Sequence, residues 1–138
     1  MGPTQAIYNS RAPVELRFPS LDPGRRVRIV LIPLPGCSRF VVNLRTYNDI
    51  AYHFNPRFDE NCVVSNSTQG GNWMNEERAN MPFHPDRVYT LEFVPNYGQI
   101  QVLLNGSPFT TFNERLPSRD INLVEIDGDI HVHSAHYL

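Results

Sequence analysis

The stretch His53-Phe54-Asn55-Pro56-Arg57, followed by Val64-Ser65-Asn66 and then by Trp73-Met74-Asn75-Glu76-Glu77-Arg78, decides how the chain is read. In a strand, successive side chains point to opposite faces, so His53, Asn55 and Arg57 emerge together while Tyr52, Phe54 and Phe58 point the other way. One face is polar and directed, the other apolar. Pro56 lacks an N–H and biases Asn55 towards extended geometry, which suits a strand end better than a helix. The single tryptophan of the chain, Trp73, stands just before Glu76 and Arg78. A flat aromatic beside donors and acceptors on one strand face has the makings of a grip on a small polyhydroxylated ring.

The pattern His53-x-Asn55-Pro56-Arg57, Val64-x-Asn66 and Trp73-x-x-Glu76-x-Arg78, in this order and spacing, resembles the carbohydrate-recognition signature of the galectins. The likeness continues through Met81-Pro82-Phe83, Val102 to Gly106, Arg115-Leu116-Pro117 and Ile126-Asp127-Gly128-Asp129-Ile130, and so covers nearly the whole chain. It implies a two-sheet antiparallel jelly-roll β-sandwich with the site on the concave sheet. It also implies that His53, Asn55 and Arg57 read the axial 4-hydroxyl of galactose, that Trp73 lies against the apolar face of that sugar, and that Asn66 and Glu76 hold its 6-hydroxyl. Arg57, Glu76 and Arg78 are then expected to reach the 3-hydroxyl of an adjacent glucose or N-acetylglucosamine. An equatorial epimer would leave the first three without a shared partner, at a cost of about 1–3 kcal/mol for a shielded unsatisfied group. Two departures from the family pattern bear on longer glycans: Met74 stands where galectins usually have glycine, and the segment from Asp59 to Cys62 is short.

Composition sets independent bounds. With 138 residues the chain has the length of one domain, 1–138, able to close a core without metal or disulfide staples. Twelve basic against fourteen acidic residues give a net charge of −2. The basic residues are all arginine and are scattered, so no basic face offers itself to nucleic acid. Cys37 and Cys62 read as free thiols rather than as a disulfide framework or a metal site. The N-terminal residues lack the basic and apolar regions of a signal peptide, and no run approaches membrane-spanning length. A cytoplasmic protein is expected, and the resemblance implies extracellular delivery by a non-classical route. Asn66-Ser67-Thr68 and Asn105-Gly106-Ser107 are N-glycosylation acceptor sequences, and the first, read as exposed, would place a glycan in the site.

Alternating patterns predict about ten short strands: Val14 to Phe18, Val27 to Leu31, Phe40 to Arg45, Ile50 to Arg57, Val63 to Thr68, Val88 to Val94, Ile100 to Leu104, Pro108 to Phe112, Leu123 to Ile126 and Ile130 to Val132. Asn105-Gly106 and Asp127-Gly128 read as hairpin turns, because both steps accept positive φ. Strands at this interval argue for a β-sandwich, with one short helical turn near Leu116 to Asp120 and residues 1–10 loosely ordered.

Other constellations are weaker. His131, His133 and His136 could approach a zinc ligand set, but imidazoles at a strand end are more often isolated. Glu76 and Glu77 point to opposite faces of a strand and cannot flank one glycosidic bond, so no glycosidase is expected. The expectation is a non-catalytic lectin for β-galactosides such as lactose and N-acetyllactosamine, with no metal or cofactor. Cross-linking of cell-surface glycoproteins would follow from homodimerisation or another source of multivalency. The alternative is an interaction protein of the same fold whose groove takes another glycan or a protein surface, for which Met74 is the sequence support.

Overall fold

The computed structural model describes residues 5–138, which fold into two six-stranded antiparallel sheets packed face to face. In chain order the strands are β1 Gln5–Arg11, β2 Val14–Arg17, β3 Val27–Pro33, β4 Phe40–Arg45, β5 Ile50–Arg57, β6 Cys62–Asn66, β7 Thr68–Gln69, β8 Asn72–Trp73, β9 Glu77–Asn80, β10 Tyr89–Pro95, β11 Gln99–Leu104, β12 Ser107–Asn113, β13 Leu123–Gly128 and β14 Ile130–Tyr137. One sheet has the order β1-β14-β3-β10-β11-β12 and the other β2-β13-β4-β5-β6-β9, while β7 and β8 form a small separate hairpin. The helical content is one 3-10 turn, Ser118–Asp120, inside the range expected for it.

The alternation read from the sequence is what seals the core. Val27, Ile29 and Leu31 of β3, Val42 and Leu44 of β4, and Tyr52 and Phe54 of β5 are completely buried between the sheets. Tyr52 stacks on Phe112 of the opposite sheet with centroids 4.2 Å apart, and Phe54 meets Phe93 edge to face at 5.4 Å. The phenol of Tyr52 is not left unpaired, because it shares a hydrogen bond with Ser65 Oγ at 3.1 Å.

Three expectations change. The stretch Gln5 to Ser10, expected to be loose, lies in β1 and pairs with β14 from Gln5↔Tyr137 onwards, with Ile7 packed on the core; residues 1–4 lie outside the described residues. Asn105-Gly106 does turn β11 into β12, but Asp127-Gly128 is not a hairpin. Its two flanking strands belong to different sheets, so the step carries the chain across the sandwich. Gly128 sits there at φ +112 opposite Phe40, where an added Cβ would lie 2.6 Å from the Phe40 Cα and 2.7 Å from the Arg39 carbonyl oxygen. Finally, Asn66-Ser67-Thr68 is not exposed: Asn66 retains 4% of its surface and Ser67 none, and both are held by Met74 and Arg115.

Because both obstructing atoms at Gly128 are backbone, neither can swing aside. Gly128→Ala is therefore expected to destabilise the fold by at least about 1–3 kcal/mol, read as a lowered urea midpoint; an unchanged midpoint would mean that the crossing is loose.

Candidate functional site

Strand β5 supplies the floor of the site, and Pro56 explains how. Continuing the β4–β5 register past Val42↔Phe54 sets Phe40 opposite Pro56, which has no N–H to offer. The carbonyl of Phe40 is satisfied instead by the side-chain amide of Asn55, which donates to it at 2.8 Å. The other end of Asn55 accepts from Arg57 Nε at 2.8 Å. The Asn-Pro-Arg run thus closes the end of a ladder and aims an arginine in one device.

The guanidinium of Arg57 is held on further sides. It donates to Glu60 at 3.1 Å and stands 3.7 Å from Glu76, leaving only 15% of its side chain exposed. Glu60 also receives Arg39 at 2.7 Å and Arg78 at 2.8 Å, and Arg78 in turn holds Glu76 at 3.1 Å. With Asp59 on Arg39, three guanidinium groups face three carboxylates. The hydrogen bond from Arg78, and then the charge of Arg57, hold the Glu60 carboxyl below its ordinary range. Such pairs contribute little individually to stability when exposed, but their geometry fixes where each donor points.

His53 is positioned from the neighbouring strand. Its register partner Asn43 places Oδ1 2.7 Å from Nδ1. An amide oxygen only accepts, so this contact puts the proton on Nδ1 and leaves Nε2 as an acceptor. Burial, with the Arg57 charge next in weight, pushes the imidazole down to about 4, against smaller opposing contributions from Asn55 and Glu76. The ring is therefore neutral at physiological pH.

Trp73 comes from the β7–β8 hairpin, which Asp49 anchors. The Asp49 carboxylate accepts from Gly71 N–H at 2.9 Å, Thr68 Oγ at 2.9 Å and Gly70 N–H at 3.1 Å, and these bonds, that of Gly71 foremost, lower its pKa. Trp73 remains 55% exposed, with its indole 4.7 Å from the His53 ring, centroid to centroid, at an angle of 64°. Below the hairpin, Asn66 donates to the Met74 carbonyl at 3.0 Å and accepts from Ser67 N–H at 2.8 Å and Arg115 at 3.1 Å. Arg115 also reaches the Asn75 carbonyl and Glu77.

These groups enclose an open hollow of about 390 Å³ lined by His53, Arg57, Asn66, Trp73, Met74 and Glu76. Of the seven residues singled out in the sequence, five line it. Asn55 lies beneath, committed to Phe40 and Arg57, and Arg78 lies beside it, orienting Glu76. Met74 joins the lining as an apolar rim. Asn43, Asp49, Glu60 and Arg115 were not singled out. Asn43 shares the outward parity of β4 and Glu60 stands three residues after Arg57, which are readable hints; Arg115 is 49 residues from Asn66, and although Arg115-Leu116-Pro117 belongs to the family likeness, no spacing links it to the site. Among the described residues no group of three or more His, Cys, Asp or Glu is arranged to hold a metal ion, and His133 falls in a β-bulge of β14.

A β-sandwich with a shallow polar groove walled by an exposed indole has the form of a lectin domain. The comparisons with known proteins agree. Residues 13–137 match the family model for galactoside-binding lectins. Human galectin-4 is 35% identical over 97% of this chain, and the 32 kDa beta-galactoside-binding lectin of Haemonchus contortus 42% identical over 67% of it. The crystal structure of the Caenorhabditis elegans galectin LEC-6 superposes with a TM-score of 0.93 at 48% identity, covering 96% of this chain and 95% of that one. The chain belongs to the galectin family of galactoside-binding lectins. The match is thus to a family of sugar-binding domains and not to a family of enzymes. It spans 44% of the length of human galectin-4 and 34% of that of the Haemonchus lectin. No helix among the described residues is long and apolar enough to cross a membrane.

The depressed His53 pKa carries a pH signature. Unfolded histidine takes its proton near 6.5, whereas the folded ring resists until about 4, so in this window the unfolded chain binds more protons and stability falls as pH falls. The slope for one proton is at most about 1.4 kcal/mol per pH unit. Urea unfolding of the native chain is expected to lose stability faster across this window than that of His53→Gln; parallel profiles would show that His53 protonates freely in the fold.

Proposed function

We propose that the chain binds β-galactosides, lactose and N-acetyllactosamine among them, in the hollow between Trp73 and the outward face of β5 and β6. The observation that carries this reading is the exposed indole standing over a polar floor whose donors are already fixed. A pyranose has one apolar patch of C–H groups and a fringe of hydroxyls, and Trp73 meets the first while His53, Arg57, Asn66 and Glu76 meet the second. His53 accepts a hydrogen bond through Nε2 from the axial 4-hydroxyl, and Arg57 donates to the same oxygen. Asn55 takes part chiefly by aiming Arg57, and Arg78 by holding Glu76 and reaching the 3-hydroxyl of the next sugar with it.

Preorganisation is what makes a shallow site work, because little side-chain entropy remains to be lost on binding. At about 0.5–1.5 kcal/mol net per hydrogen bond plus one stacking contact, the affinity falls in the millimolar to micromolar range. Action on a cell surface then depends on multivalency, supplied by a homodimer or by a further recognition domain, and cross-linking of glycoproteins follows from it. A cytoplasmic protein released by a route independent of a signal peptide fits this role. The apolar rim at Met74 favours a second reading in which the groove prefers a ligand other than simple lactose.

Retention on immobilised lactose, elution by free lactose and indifference to chelator are expected. Trp73→Ala, and Arg57→Lys, which keeps the charge but loses the planar fork, should each weaken lactose binding at least about tenfold with an unchanged circular dichroism spectrum. A folded native chain that ignores every galactoside on an array sinks the reading, and undiminished binding by either variant moves the site elsewhere.

A further inference from the structure

We propose that the loop end of the sandwich carries a second saccharide-contact site, for a neutral sugar, in the hollow between the β4–β5 turn and the 3-10 turn. This hollow, of about 410 Å³, is as large as the first and shares no lining residue with it. Tyr47, Asn48, Arg119, Asp120 and Asn122 form its walls. Tyr47 is 90% exposed, so a whole aromatic face is offered to water at the tip of a turn. Such a ring at a polar rim has the same use as an indole over a sugar, apolar on its face and polar at its edge.

Two properties separate the hollow from an ordinary loop surface. Its backbone is held on both sides: Thr46 N–H donates to the Asp49 carbonyl at 2.9 Å, Asp49 N–H to Thr46 Oγ at 3.1 Å, Asn122 N–H to the Arg45 carbonyl at 2.9 Å, and Ser20 Oγ to the Arg119 carbonyl at 2.6 Å. Its side chains, by contrast, are uncommitted. Among the described residues, the Tyr47 hydroxyl, the Asn48 and Asn122 amides, the Arg119 guanidinium and the Asp120 carboxylate make no hydrogen bond to another side chain or to the backbone, so their donors and acceptors remain for a ligand. A fixed frame with unspent polar groups around one aromatic plate suits hydroxyl recognition at low ordering cost. Arg119 and Asp120 sum to zero, so the hollow carries no net charge to draw a sulfated or carboxylated sugar in preference to a neutral one. A domain with two such sites joins two glycans without a partner subunit.

The test is an array of neutral glucose-, mannose-, N-acetylglucosamine- and galactose-terminated oligosaccharides, probed with the whole chain in saturating lactose. Lactose-resistant spots are expected; Tyr47→Ala and Asp120→Ala should each reduce them at least about tenfold while retention on lactose is unchanged. Trp73→Ala should do the reverse. Absence of lactose-resistant spots, or their survival in both Tyr47→Ala and Asp120→Ala, overturns the proposal. Tyr47-dependent spots on a chain that ignores lactose would leave it standing and remove the groove reading instead.

Discussion

Alternation along β5 from Tyr52 to Arg57 is the constraint from which the remainder follows. Tyr52 and Phe54 must enter the core, where they meet Phe112 and Phe93, so His53 and Arg57 can only face outwards. A slip of one residue would bury an imidazole and a guanidinium and expose two aromatic rings. The free energy that holds the sandwich shut is therefore the same free energy that points the site, and the two cannot be altered separately at this strand.

Around that strand the structure solves one recurrent problem: long polar side chains in a shallow groove must be kept still. Arg57 is held by Asn55, Glu60 and Glu76, His53 by Asn43, and the hairpin bearing Trp73 by Asp49. Two of these supports are themselves firmly anchored. Asn55 is tied to a carbonyl that Pro56 leaves without its ladder partner, and Glu60 is shared by three arginines. The absence of lysine fits this mode of construction, since a planar fork is fixed by fewer contacts than a flexible ammonium.

Much of this was legible in the sequence, and what was not has identifiable causes. The parity of β4 and β5 and the turn at Asn105-Gly106 follow from local periodicity, because neighbours along a strand determine them, while the gathering of His53, Arg57, Asn66, Trp73 and Glu76 from separate elements was implied by the family signature. The Asp127-Gly128 step misleads, since positive φ serves a crossing between sheets as well as a hairpin, and only long-range pairing distinguishes the two. Strand β1 is missed because its polar residues form a ladder on an outer edge without strong alternation. The role of Arg115, quoted only as part of the family likeness, is missed because it meets Asn66 across the fold, where no local spacing points to it.

Trp73 is the sole indole in the chain, it stands half in solvent, and it forms a wall of the groove. Intrinsic fluorescence of the unmodified polypeptide, excited where tyrosine does not absorb, is consequently a signal from one locus with no background from the core. Any occupant that displaces water from that ring announces itself optically.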